Sequence, residues 1–117
     1  MVIIDKPIKR SKVKKMAQAL FGNLVKAVVD IEKEIMAIGG ELHSDEEALL
    51  LENGSDQRNL WGINLYPDVD DDQWIEFDSM INLRPSQGNI TRGINDQKIR
   101  KKIAKIVGKL IKNEIPT

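Results

Sequence analysis

His43 is the only histidine in the chain, and it follows Glu41 by two residues, so in an extended segment both side chains would leave the same side. The same alternation in a strand from Trp74 to Leu83 sets Ile75, Phe77, Ile81 and Leu83 on one side. Glu76, Asp78, Asn82 and Arg84 then fall on the other, and Asn64 joins them from the preceding apolar-polar segment. Such a face carries the groups that acid-base or metal-assisted hydrolysis uses. His43 would be the general base or a metal ligand, Glu41 and Asp78 would orient it or hold a metal, and Arg84 would stabilise developing negative charge. The plain alternative is the solvated face that antiparallel sheets commonly keep.

Two metal motifs fall short. Glu41, His43 and a more distant Asp78 match no zinc spacing. The acid run Asp68, Asp70, Asp71 and Asp72 lacks the turn glycine of an EF-hand loop, and Ser79 stands where that loop needs its bidentate glutamate. No metal is assigned, and whether a cofactor is used is left open by the sequence. A second chemistry lies in the segment Arg84-Pro85-Ser86-Gln87-Gly88-Asn89 to Arg92, which precedes a basic helix. Arg84, Gln87, Asn89 and Arg92, with Asn64 and Asn82 nearby and Lys98, Lys101 and Lys102 behind them, would offer guanidinium and amide donors to a phosphate or carboxylate. Pro85 and Gly88-Asn89 also make an ordinary turn.

The elements that must position these groups read as follows. Val2 to Ile4 suits an edge strand. Ser11 stands as an N-cap before Val13, Met16, Ala17, Leu20 and Leu24, spaced for one helix face, and Gly22 is the stop. Val25 to His43 also keeps helical spacing. Its β-branched cluster Val28, Val29 and Ile31, the charged tip Glu32-Lys33-Glu34 and Gly39-Gly40 favour a hairpin instead. Ser44 to Glu47 has the form of a capping box opening a short helix through Leu49 to Leu51, closed by Asn53-Gly54. Asn59 to Tyr66 and Trp74 to Leu83 form a second hairpin around an acidic loop; with residues 65 and 75 paired, Gly62 leaves room near Asp78. A helix from about Asp96 to Asn113 buries Ile99, Ile103, Ile106, Val107 and Leu110.

The expected class is therefore α+β, an antiparallel sheet of two β-hairpins with helices packed on one face in the order α-β-β-α-β-β-α. At 117 residues it is a single domain, 1–117, and its core needs no metal or disulfide. Absence of cysteine excludes disulfides and thiolate chemistry and fits a cytoplasmic setting. No apolar run is long enough to span a membrane, and Met1 to Pro7 lacks the plan of a signal peptide.

Charge is sorted along the chain. Residues 1–26 hold seven basic side chains against Asp5, residues 27–81 fifteen acids against Lys33 and Arg58, and residues 82–117 nine basic side chains against Asp96 and Glu114. Local balances of +6, −13 and +7 cancel to zero, so a pI of 6.6 conceals strongly polarised segments. The basic runs Lys9 to Lys15 and Lys98 to Lys112 could meet a nucleic-acid backbone, but no recognition helix or RNP-like aromatic pair accompanies them, and neutralisation by the acidic middle of the same chain is the simpler account.

At Gly39-Gly40-Glu41-Leu42-His43-Ser44-Asp45, Leu60 to Pro67 and Ile81 to Asn89, with their GGELH, LWGINLYP and RPSQGN segments, the chain resembles a family of short uncharacterised prokaryotic proteins classed as a domain of unknown function. The resemblance extends from about Val2 to Ile111 and implies a single domain with no assigned activity. An Arg-Ser pair is expected in such proteins where this chain has Ile90-Thr91, which weighs against anion binding by that loop. Three functions follow: a binding module for an anionic small molecule or RNA through the Arg84 to Arg92 loop, a His43-dependent hydrolase or nuclease, and a homo-oligomeric interaction protein, most simply a homodimer.

Overall fold

The computed structural model describes residues 1–113; Glu114, counted in the sequence charge, lies outside them. Strand β1 (Val2–Ile4) leads into β2 (Ile8–Lys9) and helix α1 (Arg10–Ala19), followed by β3 (Val25–Asp30), β4 (Ile35–Gly40) and α2 (His43–Glu52). Then come β5 (Leu60–Leu65), β6 (Ile75–Glu76), α3 (Gln97–Leu110) and β7 (Ile111–Lys112), with 3-10 turns at Gln57–Asn59, Met80–Asn82 and Pro85–Gln87. The α+β class and the antiparallel sheet are as expected. Its order is β1-β4-β3-β5-β6, and β2 pairs with β7 in a separate parallel ribbon.

The Val25 to Gly40 stretch is a hairpin rather than a helix, and its turn shows why. Asp30, 1% exposed, accepts the N–H groups of Glu32 and Lys33 at 2.9 Å on one carboxylate oxygen and the Ser55 hydroxyl at 2.6 Å on the other. Glu34 closes the turn at φ 57, a left-handed conformation, and donates its N–H to the Asp30 carbonyl. In β4 the pairing steps from Ala27↔Ile38 to Lys26↔Gly40, leaving Gly39, at φ 82, as the extra residue of a bulge. A bulge shifts the strand's phase by one, and β4 ends at Gly40, so Glu41 and His43 do not lie on a common strand face.

One face of the sheet, through Ala27, Val29, Met36, Ile38, Trp61, Ile63 and Leu65, packs on Val13 and Ala17 of α1 and on Ile103, Ile106, Val107 and Leu110 of α3. The opposite face, Val28, Ala37 and Leu60, takes Leu50 of α2 and the half-buried Ile81. Two helices thus share one face, while α2 closes the side on which a solvated polar surface was expected.

Helix starts also differ from expectation. The β2–β7 ribbon holds Ile8 and Lys9 extended and α1 begins at once at Arg10, so Lys9 is the cap residue and Ser11 lies inside the helix. Likewise α2 begins at His43 with Leu42 as cap, so Ser44 cannot form the capping box; Glu47 turns to Arg84 instead. At the other end, Gly22 at φ 93 donates to the Ala17 carbonyl and terminates α1 as expected.

Leu65 pairs with Ile75, the condition under which Gly62 was to leave room near Asp78, but the second arm of that hairpin ends at Glu76. Beyond it the chain crosses Gly62 so closely that a Cβ there would lie 2.5 Å from the Ser79 Cβ. The space left by Gly62 holds Ser79 and not Asp78. The Asn82 carboxamide then replaces a strand residue, accepting the Gly62 N–H at 2.8 Å and donating to the Gly62 carbonyl at 2.9 Å. α3 is capped by Asp96, whose carboxylate accepts the Lys98 N–H at 2.8 Å, and it stops where β7 enters its ribbon.

Candidate ligand-binding surface

Of the residues expected on a polar face, His43, Asn64, Glu76 and Asp78 gather near the β5–β6 edge. His43 Nε2 donates to the Ile63 carbonyl at 2.8 Å, and burial, opposed by that bond, holds its pKa below the ordinary 6.5. Burial thus favours the neutral imidazole. Asn64, 8% exposed, donates to Glu76 Oε1 at 2.8 Å, and the same oxygen accepts the Tyr66 hydroxyl at 3.0 Å. Asp78 pairs with Arg92 at 2.9 Å. Each of these two carboxylates already has a partner other than His43, and among the described residues no hydrogen bond links His43 to a carboxylate or hydroxyl. Glu41 stands apart, exposed after the bulge, and lines a groove that does not include His43.

Arg84, Asn82 and Asn89 hold the chain together. The Arg84 guanidinium is 9% exposed; its Nε donates to the Ile81 carbonyl at 2.9 Å, Nη1 to the Gln57 carbonyl at 2.8 Å and Nη2 to Glu47 at 3.3 Å. It lies 4.9 Å from the Trp61 ring centre. Burial lowers its pKa and the Glu47 charge counters that effect. Asn89 donates to the carbonyls of Asn82 at 2.7 Å and Gly93 at 2.8 Å and accepts the Asn95 N–H at 2.9 Å. Exposed donors in this loop remain on Gln87, which reaches the Arg58 carbonyl at 3.2 Å, and on Arg92. The loop is chiefly a clasp over the sheet edge; its donors serve the backbone that alternation alone could not place beside them.

Basic charge concentrates elsewhere. α1 carries four basic residues and α3 six, with no acid in either, and both lie on one sheet face. α2, on the other face, carries four acids and neither Lys nor Arg. The α2 part of the acidic block therefore lies opposite the basic helices, while the acidic loop folds against α1. Neutralisation within the chain is partial: on α1 and α3, Arg10 pairs with Asp71, Lys14 with Asp68 at 2.8 Å and Lys109 with Glu34 at 3.5 Å, and the other seven form no ion pair with described residues. Arg10 also stacks 4.0 Å from the Trp74 ring centre, which anchors the acidic loop to α1.

At the N-terminus of α1 a groove of about 630 Å³ is floored by Pro7 and Ile8 and edged by Lys9, Lys12, Lys15 and Lys112. A spacing of three puts the first three lysines along one side of the helix. The parallel ribbon brings in the fourth, because Lys9 is opposite Lys112. All four are exposed and none forms an ion pair with a described residue. No side chain caps α1, and its first turn has no acid, so the positive end of the helix adds to the field. The basic run of α1 was visible in the sequence; the contribution of Lys112, about a hundred residues away, was not. Among the described residues, no group of three or more His, Asp or Glu side chains could hold a metal, and no helix is long and apolar enough to cross a membrane.

No curated protein and no solved structure matches the chain. A family match covers residues 2–110, close to the span expected from the three motifs, and the chain belongs to the family described as Protein of unknown function (DUF5674).

Proposed function

We propose that this protein is a non-enzymatic binding module for a phosphate-bearing ligand, an RNA segment or a nucleotide, held at the N-terminal end of α1. The observation that carries this reading is the groove edged by Lys9, Lys12, Lys15 and Lys112, whose ammonium groups are exposed and free of ion pairs with described residues. The binding surface thereby moves from the Arg84 to Arg92 loop, whose donors largely serve the fold, to the layer formed by α1 and α3. Pro7 and Ile8 supply an apolar floor on which a base or sugar can rest, and the lysines supply charge without sequence readout. The hydrolase reading has less support, since Asp78 is engaged by Arg92 and Glu41 faces a different groove.

A labelled single-stranded RNA oligonucleotide titrated at several salt concentrations tests the proposal. Four neutralised phosphates give a slope of about −2.8 for log K against log salt, so affinity should fall roughly fifty-fold between about 50 and 200 mM salt. Lys9→Gln/Lys12→Gln/Lys15→Gln should flatten that slope to about −0.7. Absence of RNA and nucleotide binding at low salt, or a slope unchanged in the triple variant, would refute the assignment.

A further inference from the structure

We infer that this chain associates head to tail with further copies of itself, the lysine-edged groove of one molecule receiving a carboxylate-edged groove of the next. The second groove, of about 430 Å³, has Met1, Leu20 and Leu49 on its floor and Glu41, Asp45 and Glu52 on its rim. Asp45, Leu49 and Glu52 fall at intervals of four and three on α2, one stripe of that helix. Met1 is 58% exposed and Leu20 40%, an apolar surface beside exposed carboxylates that form no ion pair with described residues.

The two grooves complement each other in charge and match in having apolar floors. They also lie toward opposite ends of α1: Lys9 caps its start and Leu20 its finish, so ten helical residues, about 15 Å, separate those ends. Because the complementary patches are different surfaces of one molecule, the contact is heterologous and leaves each complex with one groove of each kind still open. Zero net charge means no overall repulsion opposes the approach. This inference rests on the lysine groove accepting anions, as the proposed function does, but it adds a protein carboxylate surface as occupant; a phosphate ligand would compete with it.

Sedimentation velocity of the full chain at about 50 mM and about 500 mM NaCl reads the association directly. Wild type should gain mass with concentration at low salt and return to monomer at high salt. Glu41→Gln/Asp45→Asn/Glu52→Gln and Lys9→Gln/Lys12→Gln/Lys15→Gln should each lose self-association at least about tenfold, because each loses most of the charge on one of the two rims. Mixed together they should form a one-to-one dimer that grows no further, since only one competent groove of each kind is present. Circular dichroism establishes that both variants are folded. Wild type that stays monomeric at low salt, a triple variant that self-associates like wild type, or two folded variants that fail to pair would each overturn the inference. Monomer at low salt combined with binding of an oligolysine peptide would overturn it in favour of a separate basic partner. RNA titration of the carboxylate variant separates this failure from that of the proposed function, because its lysine groove is intact.

Discussion

Glu46 is fully buried on α2, its Oε2 accepting the Gly40 N–H at 3.0 Å and its other oxygen lacking a partner among the described residues. Burial pushes its pKa from 4.5 up to about 9, against the opposing pull of the Gly40 bond and the Lys26 charge. The folded protein thus keeps this carboxyl protonated at neutral pH while the unfolded chain ionises it. A raised folded-state pKa makes the contribution of Glu46 to stability greatest below pH 4.5 and erodes that contribution as pH climbs toward about 9. At pH 7 the gap from 4.5 is about 2.5 pH units, worth about 3 kcal/mol at 1.36 kcal/mol per unit. Glu46→Gln keeps the oxygen that accepts from Gly40 and cannot ionise in the unfolded chain. It should therefore match wild type near pH 4 and exceed it by about 3 kcal/mol at pH 7, the difference widening by about 1.4 kcal/mol for each further pH unit. Urea denaturation of both proteins across that range, followed by circular dichroism, measures the difference. A difference that does not change with pH, or a Gln variant less stable than wild type at pH 7, would show that Glu46 is ionised and paired in the fold.

Three further outcomes follow from the clasp and the helices. Asn82→Ala strands the N–H and carbonyl of Gly62 and should cost roughly 2–4 kcal/mol in denaturant melts, with hydrogen exchange at Gly62 accelerating. Arg84→Met leaves Glu47 half-buried without its partner and should destabilise by about 3 kcal/mol, while Arg84→Met/Glu47→Leu recovers most of the loss in a double-mutant cycle. At Gly108 a Cβ would meet nothing within 4 Å, so Gly108→Ala should stabilise α3 by about 1 kcal/mol and raise Tm by roughly 4 °C in calorimetry.

Both hairpins could be located from short-range chemistry, since a charged tip with β-branched arms and a run of alternating residues leave local marks. The buried stripe Ile103, Ile106, Val107 and Leu110 of α3 was legible for the same reason. The expected polar face was legible only in part. Alternation assumes an unbroken strand, and the bulge at Gly39 and the turn at Met80–Asn82 interrupt it where Glu41, Asn82 and Arg84 were to be placed.

What the sequence alone determined is the division of charge into blocks and the class of fold, because composition and periodicity are properties of neighbouring residues. Only the tertiary structure decided that α2 covers one sheet face and α1 with α3 the other, and that the acidic loop folds back onto α1. It also decided that Arg84, Asn82 and Asn89 donate to backbone carbonyls and that Lys112 stands beside Lys9. A side chain's chemistry states what it can donate or accept. Which group it reaches is set by folding: Arg84 and Asn82 find Gln57 and Gly62, 27 and 20 residues away, within 3 Å.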